Sequence, residues 1–170
     1  MAACSFQLEE DELAYSPQRT ATGVVEQRRV LLIEDSEEAM LLVRFAIEEY
    51  GHGEYSLEWS HSLSDGLEQL ATHEVDVILL DLGLPDSSGP ESYAWVREIA
   101  PQVPVVVLTG DDRQETEYAV TASGAEGYLL KHQASGANLI EAIKAALYCN
   151  KTKRSNARER SLFPAPFRIG

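Results

Sequence analysis

Two rhythms of apolar residues alternate along the middle of this chain. Short aliphatic runs recur at Val30-Leu31-Leu32-Ile33, Val75 to Leu80, Val103 to Leu108 and Gly127-Tyr128-Leu129-Leu130, and Tyr55 to Trp59 alternates polar with apolar. Each is followed by a longer stretch with helical spacing. Ser36 to Tyr50 places Ala39, Met40, Leu42, Val43, Ala46 and Ile47 on a helical stripe, with Ser36 as a natural N-cap and Gly51 and Gly53 as its end. Leu63 to Ala71, Glu91 to Ala100, a weaker Arg113 to Ser123 stopped by Gly124, and Ala137 to Tyr148 complete the set. Val75 to Leu80 is nearly continuous in apolar character, as a strand covered on both faces must be. Five strand–helix units of roughly 20–25 residues predict an α/β fold, a parallel sheet with helices on both faces and right-handed crossovers.

Composition narrows the classes. The chain has 170 residues, 44% hydrophobic and 25% charged, enough for one globular domain with a real core. Its formal net charge of −14 is unevenly spread. Residues 1–28 carry −3, residues 29–148 carry −16 and residues 149–170 carry +5. The expected organisation is an acidic, loosely ordered leader over 1–28, the domain at 29–148, and a loosely ordered basic tail over 149–170 with no separate output domain. Pro17, Gly23, Pro164 and Pro166 punctuate the two flanks. So acidic a domain is not expected to bind nucleic acid. No run reaches the ~20 apolar residues of a membrane span, and Glu9 to Glu12 are the opposite of a secretory leader. Cys4 and Cys149 lack metal-type spacing and read as reduced thiols of a cytoplasmic protein.

Ligand sites in open parallel sheets lie beyond the carboxyl ends of the strands. Glu34 and Asp35 follow the first predicted strand, Asp81 the third, Thr109 the fourth and Lys131 the fifth. Three carboxylates, a hydroxyl and an ammonium should therefore meet at one sheet edge. Crowded carboxylates repel, and a hard cation with oxygen ligands relieves them, Mg2+ being the expected one. An aspartate beside such a cation stays ionised and can attack phosphorus without a general base. Lys131 and Thr109 would then hold the remaining oxygens, and Gly110 would leave the carboxylate open to a donor.

At these positions the sequence resembles the receiver domain of two-component response regulators. The resemblance rests on Leu32-Ile33-Glu34-Asp35-Ser36, Leu80-Asp81-Leu82-Gly83-Leu84-Pro85-Asp86-Ser87-Ser88-Gly89, Val107-Leu108-Thr109-Gly110 and Tyr128-Leu129-Leu130-Lys131, and spans about residues 29–148. It implies a flavodoxin-like, doubly wound sheet of strand order 2-1-3-4-5. It implies Asp81 as the phosphoacceptor (4-aspartylphosphate), with Glu34, Asp35, Asp81 and the carbonyl of Gly83 around Mg2+. Thr109 and Lys131 would contact the phosphoryl group, and Tyr128 stands at the aromatic switch position whose ring tracks Thr109. The donor implied is a histidine kinase or phosphotransfer protein, and the output an unidentified downstream protein. A surface formed by the fourth helix, fifth strand and fifth helix would serve signalling or homodimerisation. Such a domain is a phosphorelay component, with no turnover beyond its own phosphorylation and dephosphorylation.

This sequence departs from the pattern at three places. Glu34 stands where aspartate is commoner, His132 follows Lys131, and Asp111 lies near the path of attacking water. The competing reading is a degenerate receiver that binds partners without phosphorylation, and intact Asp81, Thr109 and Lys131 count against it. A dinucleotide-binding enzyme would need a Gly-rich turn where Glu34-Asp35-Ser36 stands. An aspartate-nucleophile phosphatase would want a second acid at Gly83. His52, His61, His73 and His132 show no paired metal spacing and are expected at the surface. In the last helix, Leu139, Ile140, Ile143 and Leu147 should face the core.

Overall fold

The computed structural model describes residues 27–87, 89–110, 119–134 and 136–162. Most of the leader, Cys4, Asp111 and the start of the helix expected from Arg113 lie outside them. Five strands form one parallel sheet: β1 (Arg28–Ile33), β2 (Tyr55–Ser60), β3 (Val77–Asp81), β4 (Val105–Thr109) and β5 (Gly127–Leu130). Their order is β2-β1-β3-β4-β5, as expected. The helices are α1 (Glu37–Tyr50), α2 (Leu63–Thr72), α3 (Pro90–Ile99), a helical segment α4 at 119–122, and α5 (Gly136–Leu162).

Alternation along the strands divides the core in two. Val30, Leu32, Val77, Leu79, Val106 and Leu108 meet α1 and α5 on one face. Leu31, Ile33, Ile78, Leu80, Val105 and Val107 meet the α2 and α3 side on the other. Every residue of β3 is buried, and full burial of one such aliphatic side chain is worth about 1.5–3 kcal/mol. That burial on both faces is why β3 reads as continuous apolar sequence rather than alternating. Val75 and Val103 lie before the ladder begins, so β3 and β4 start two residues later than the apolar runs suggest. Their final residues are consequently Asp81 and Thr109, which puts both side chains at the strand ends.

Local caps set the helices. Ser36 Oγ accepts the amide of Ala39 at 3.3 Å at the start of α1, as the sequence predicts. Ser62 Oγ does the same for Asp65 at α2. Gly89, with φ of +62°, turns the chain into α3, and its amide returns to the carbonyl of Leu82 at 2.9 Å. A residue with a Cβ is strained at that φ.

Two expectations need correction. Leu42 belongs to the expected apolar stripe of α1, yet it is 71% exposed, beside Leu41 and Phe45 at 50% and 57%. The buried stripe is Met40, Val43, Ala46 and Ile47. The helix expected to end at Tyr148 instead runs to Leu162, so much of the basic tail is helical rather than loosely ordered. Residues 149–162 lack an apolar stripe, so hydrophobic periodicity could not reveal them. They also lack Gly and Pro before Pro164, and lysine and arginine near a helix C-terminus favour the dipole. Past Tyr148, Asn150 donates to the carbonyl of Gln102 at 2.9 Å and Lys153 pairs with Glu126 at 2.9 Å. Leu139, Ile140 and Ile143 are buried and Leu147 is half-buried, as expected. The four histidines are exposed, also as expected.

Candidate functional site

The strand order places the ends of β1, β3 and β4 side by side. Glu34 follows β1, and its backbone amide still donates to the carbonyl of Ser60 at 3.0 Å, which extends the β1–β2 ladder by one residue. Its side chain is 1% exposed. Asp35 next to it is exposed at the head of α1, while Asp81 closes β3 and is buried. Carboxylate oxygens of Glu34, Asp35 and Asp81 lie within 4.8 Å of one another. The sequence thus brings together the three acids it was expected to.

Lys131 begins a single 3-10 turn directly after β5. Its Nζ lies 2.7 Å from Glu34 Oε2, 3.0 Å from Glu34 Oε1 and 3.0 Å from Asp81 Oδ2. One ammonium thus bridges two buried acids. Burial and the neighbouring Asp81 charge push the Glu34 carboxyl above its usual range, against the pull of Lys131 and the Ser36 amide. For Lys131, burial works against the charged form, but the hydrogen bonds and charges of Glu34 and Asp81 outweigh it and raise its pKa. The site holds its charges by mutual pairing, as a strongly coupled buried cluster must.

Thr109 is buried at the end of β4, which pairs with β3 on one side and β5 on the other. Tyr128 sits on β5 opposite Val107 and packs against the core cluster of the α2 and α3 side. Gly83 is exposed, and a Cβ there would stand 3.3 Å from Asp81 Oδ2, so its backbone runs close against the acceptor carboxylate. Among the described residues, nothing stands within 4 Å of a Cβ built on Gly110.

Two contacts were not legible in the sequence. The Trp59 indole donates to the carbonyl of Glu34 at 2.7 Å. With β2 beside β1, a residue near the end of β2 lies next to Glu34, so the strand order is the signal that could have found it. Asp86, in the loop after β3, accepts the amides of Leu63 and Ser64 at the start of α2, both at 2.9 Å. Its partners lie 23 and 22 residues earlier, and no local pattern announces that contact.

The donor set fits a hard divalent cation: among the described residues the cluster offers three carboxylates and no thiolate or imidazole. A separate cavity of about 350 Å³ lies at the other end of the sheet, lined in part by Arg28, Asp76, Val103, Leu147 and Lys151. Among the described residues that line it, the one carboxylate, Asp76, is paired with Arg28 at 3.0 Å. The clustered carboxylates lie at the acidic site and not at this cavity.

Fold and site together define a flavodoxin-like, doubly wound α/β domain with an acidic pocket at its carboxyl edge. The family description "response regulator receiver domain" matches residues 30–144, and the chain belongs to that family. It is similar to the KDP operon transcriptional regulatory protein KdpE of Escherichia coli, 36% identical over 102 residues, covering 60% of this chain and 44% of that protein. It is also similar to the polar-differentiation response regulator DivK of Brucella abortus, 32% identical over 122 residues, covering 71% of this chain and 96% of DivK. The chain spans about half the length of the first curated relatives it matches. Among solved structures, a CheY-like receiver domain protein from Methanospirillum hungatei superposes with a TM-score of 0.67 at 23% identity, covering 75% of this chain and 99% of that one. Receiver domains are signalling modules of two-component systems. Among the described residues no helix is long and apolar enough to cross a membrane.

Proposed function

We propose that residues 29–148 accept a phosphoryl group on Asp81, in a Mg2+-dependent transfer from a histidine kinase or phosphotransfer protein. The observation that carries this reading is the Lys131 ammonium held between Glu34 and Asp81. It sets a positive charge 3.0 Å from the nucleophilic carboxylate within a cluster of acids. Glu34, Asp35, Asp81 and the Gly83 carbonyl are the groups that would hold the ion. When bound, Mg2+ supplies positive charge to the oxygens of the group in transit.

The protein's own part is positioning and charge. An Asp81 carboxylate oxygen attacks phosphorus, and the phosphorus–nitrogen bond of a phosphohistidine breaks. The bonding pair stays on the imidazole nitrogen, which takes a proton from solvent. No base is needed, because the nucleophile is already deprotonated. Lys131 shifts its attention from carboxylate to phosphoryl oxygen as a point charge, and the Thr109 hydroxyl donates a hydrogen bond. Thr109 and Tyr128 then carry the new state toward a partner-binding surface.

The exposed Leu41, Leu42 and Phe45 on α1 lie one to three turns beyond Asp35, rimmed by Glu37, Glu38, Glu48 and Glu49. That patch suits a protein donor with an apolar, basic-rimmed helix. Leu42→Lys should leave stability within about 0.5 kcal/mol and leave labelling by a small phosphodonor unchanged. Transfer from the cognate protein donor should slow; an unchanged rate removes α1 from the docking surface.

The central test incubates the purified chain with a small phosphodonor and Mg2+ and compares it with Asp81→Asn by intact mass. Wild type should gain one phosphoryl group and the variant none. A folded wild type that gains nothing in Mg2+ overturns the proposal in favour of a receiver that works without phosphorylation.

A further inference from the structure

The loop between β3 and α3 carries Gly83, and Gly83 runs against the acceptor carboxylate. Three ties hold this loop. Leu82 and Leu84 are buried in the core on the α2 and α3 side, and the amide of Gly89 closes the loop onto the carbonyl of Leu82 at 2.9 Å. The third tie leaves the loop altogether. Asp86 spreads its two carboxylate oxygens over the amides of Leu63 and Ser64, one each at 2.9 Å.

This contact does more than cap a helix. α2 already has its own cap, Ser62, whose Oγ takes the amide of Asp65 at 3.2 Å. The amides that Asp86 takes are the first two of the helix, one part-buried and one exposed. Water on those amides would not fix a loop to a helix. A carboxylate at a helix N-terminus is held by both hydrogen bonds and the dipole, so it makes a stiff strut. Burial opposes the ionised form of Asp86, but the amides of Leu63 and Ser64 outweigh it and hold its carboxyl below the usual range, so the strut is charged at neutral pH.

We infer that Asp86 is a positioning residue for the cation pocket: by bracing the loop against α2 it sets where the Gly83 carbonyl stands relative to Asp81. The inference rests on Asp81 being a Mg2+-dependent phosphoacceptor. It makes α2, which contributes no residue to the acidic cluster, a mechanical support of that cluster.

The test measures Mg2+ affinity by titration calorimetry on the full chain, alongside thermal unfolding, for wild type, Asp86→Ala, Asp86→Asn and Ser62→Ala. Asp86→Ala should weaken Mg2+ binding about 10-fold, the lower end for groups that orient metal ligands. Asp86→Asn, which keeps the shape and one acceptor oxygen, should lose less. Excess Mg2+ should restore phosphorylation of both variants by a small donor. Ser62→Ala, which weakens α2 without touching the loop, should lower thermal stability and leave Mg2+ affinity unchanged. Equal affinity in wild type and the Asp86 variants overturns the inference while leaving the phosphoacceptor reading intact. So does an equal loss of affinity in Ser62→Ala. If Asp86→Ala does not fold, Asp86→Asn decides on the same terms. A wild type that binds no Mg2+ overturns both the inference and the reading beneath it.

Discussion

Lys131 carries a double load: its single ammonium faces Glu34 and Asp81, both nearly fully buried, while its own side chain is 32% exposed. Taking it away strands two acids in a desolvated site. Lys131→Met should therefore destabilise the Mg2+-free protein by about 2–3 kcal/mol, below the full cost of breaking a wholly buried pair because Lys131 is part-exposed. Adding Mg2+ should recover a larger share of stability in the variant than in wild type, read by urea denaturation with and without the ion. The pH dependence follows from the raised Lys131 pKa. The folded chain holds that proton more tightly than the unfolded one, so its contribution is complete below the unfolded pKa and is lost as pH climbs through the folded one. Wild type should show this alkaline loss and Lys131→Met should not. Glu34, Asp35, Asp81, Thr109 and Lys131 were legible because each sits at the end of an aliphatic run, where the parallel sheet assigns a fixed place. Asp86 was not, because its partners are set by how α2 docks and not by spacing.

Elements differ in how much they owe to distant contacts. β4 and β5 owe part of their start to Glu126, whose Oε2 accepts the amide of Val105 at 2.9 Å while Oε1 pairs with Lys153 of α5. The Glu126 side chain is 2% exposed and that of Lys153 61%. Glu126→Ala leaves a strand amide without its acceptor and should cost about 2 kcal/mol. Lys153→Ala removes a solvated partner and should cost less than about 1 kcal/mol. Equal costs in chemical denaturation would mean that the ion pair, not the strand amide, is what Glu126 supplies. Periodicity and capping residues gave the strands, α1 and α2 to within a residue or two of their ends. They failed at Leu42, which shares the helical spacing of its neighbours but falls on the outward side of α1. They failed again at α5, because a helix without an apolar stripe is invisible to a search for stripes.

At the scale of the molecule, the −16 carried by residues 29–148 is a cost that the fold meets everywhere. Self-repulsion of this size is screened over about 10 Å at 0.1 M ionic strength. Without Mg2+, adding sodium chloride should raise the melting temperature of wild type and Asp81→Asn alike. Mg2+ at matched ionic strength should add a further rise in wild type that Asp81→Asn largely lacks, since the variant removes one of the three clustered carboxylates. Equal responses to both salts in wild type would mean that the cluster has no cation of its own. The two tryptophans sit in unlike surroundings: Trp59 is half-buried with its indole on the Glu34 carbonyl, and Trp95 is 53% exposed on α3. The molecule therefore contains its own optical gauge. Emission from Trp59 originates one hydrogen bond from the acidic cluster, so occupancy of that cluster is readable as a change in colour or intensity, with no dye attached. In a Trp95→Phe background that signal comes from a single place.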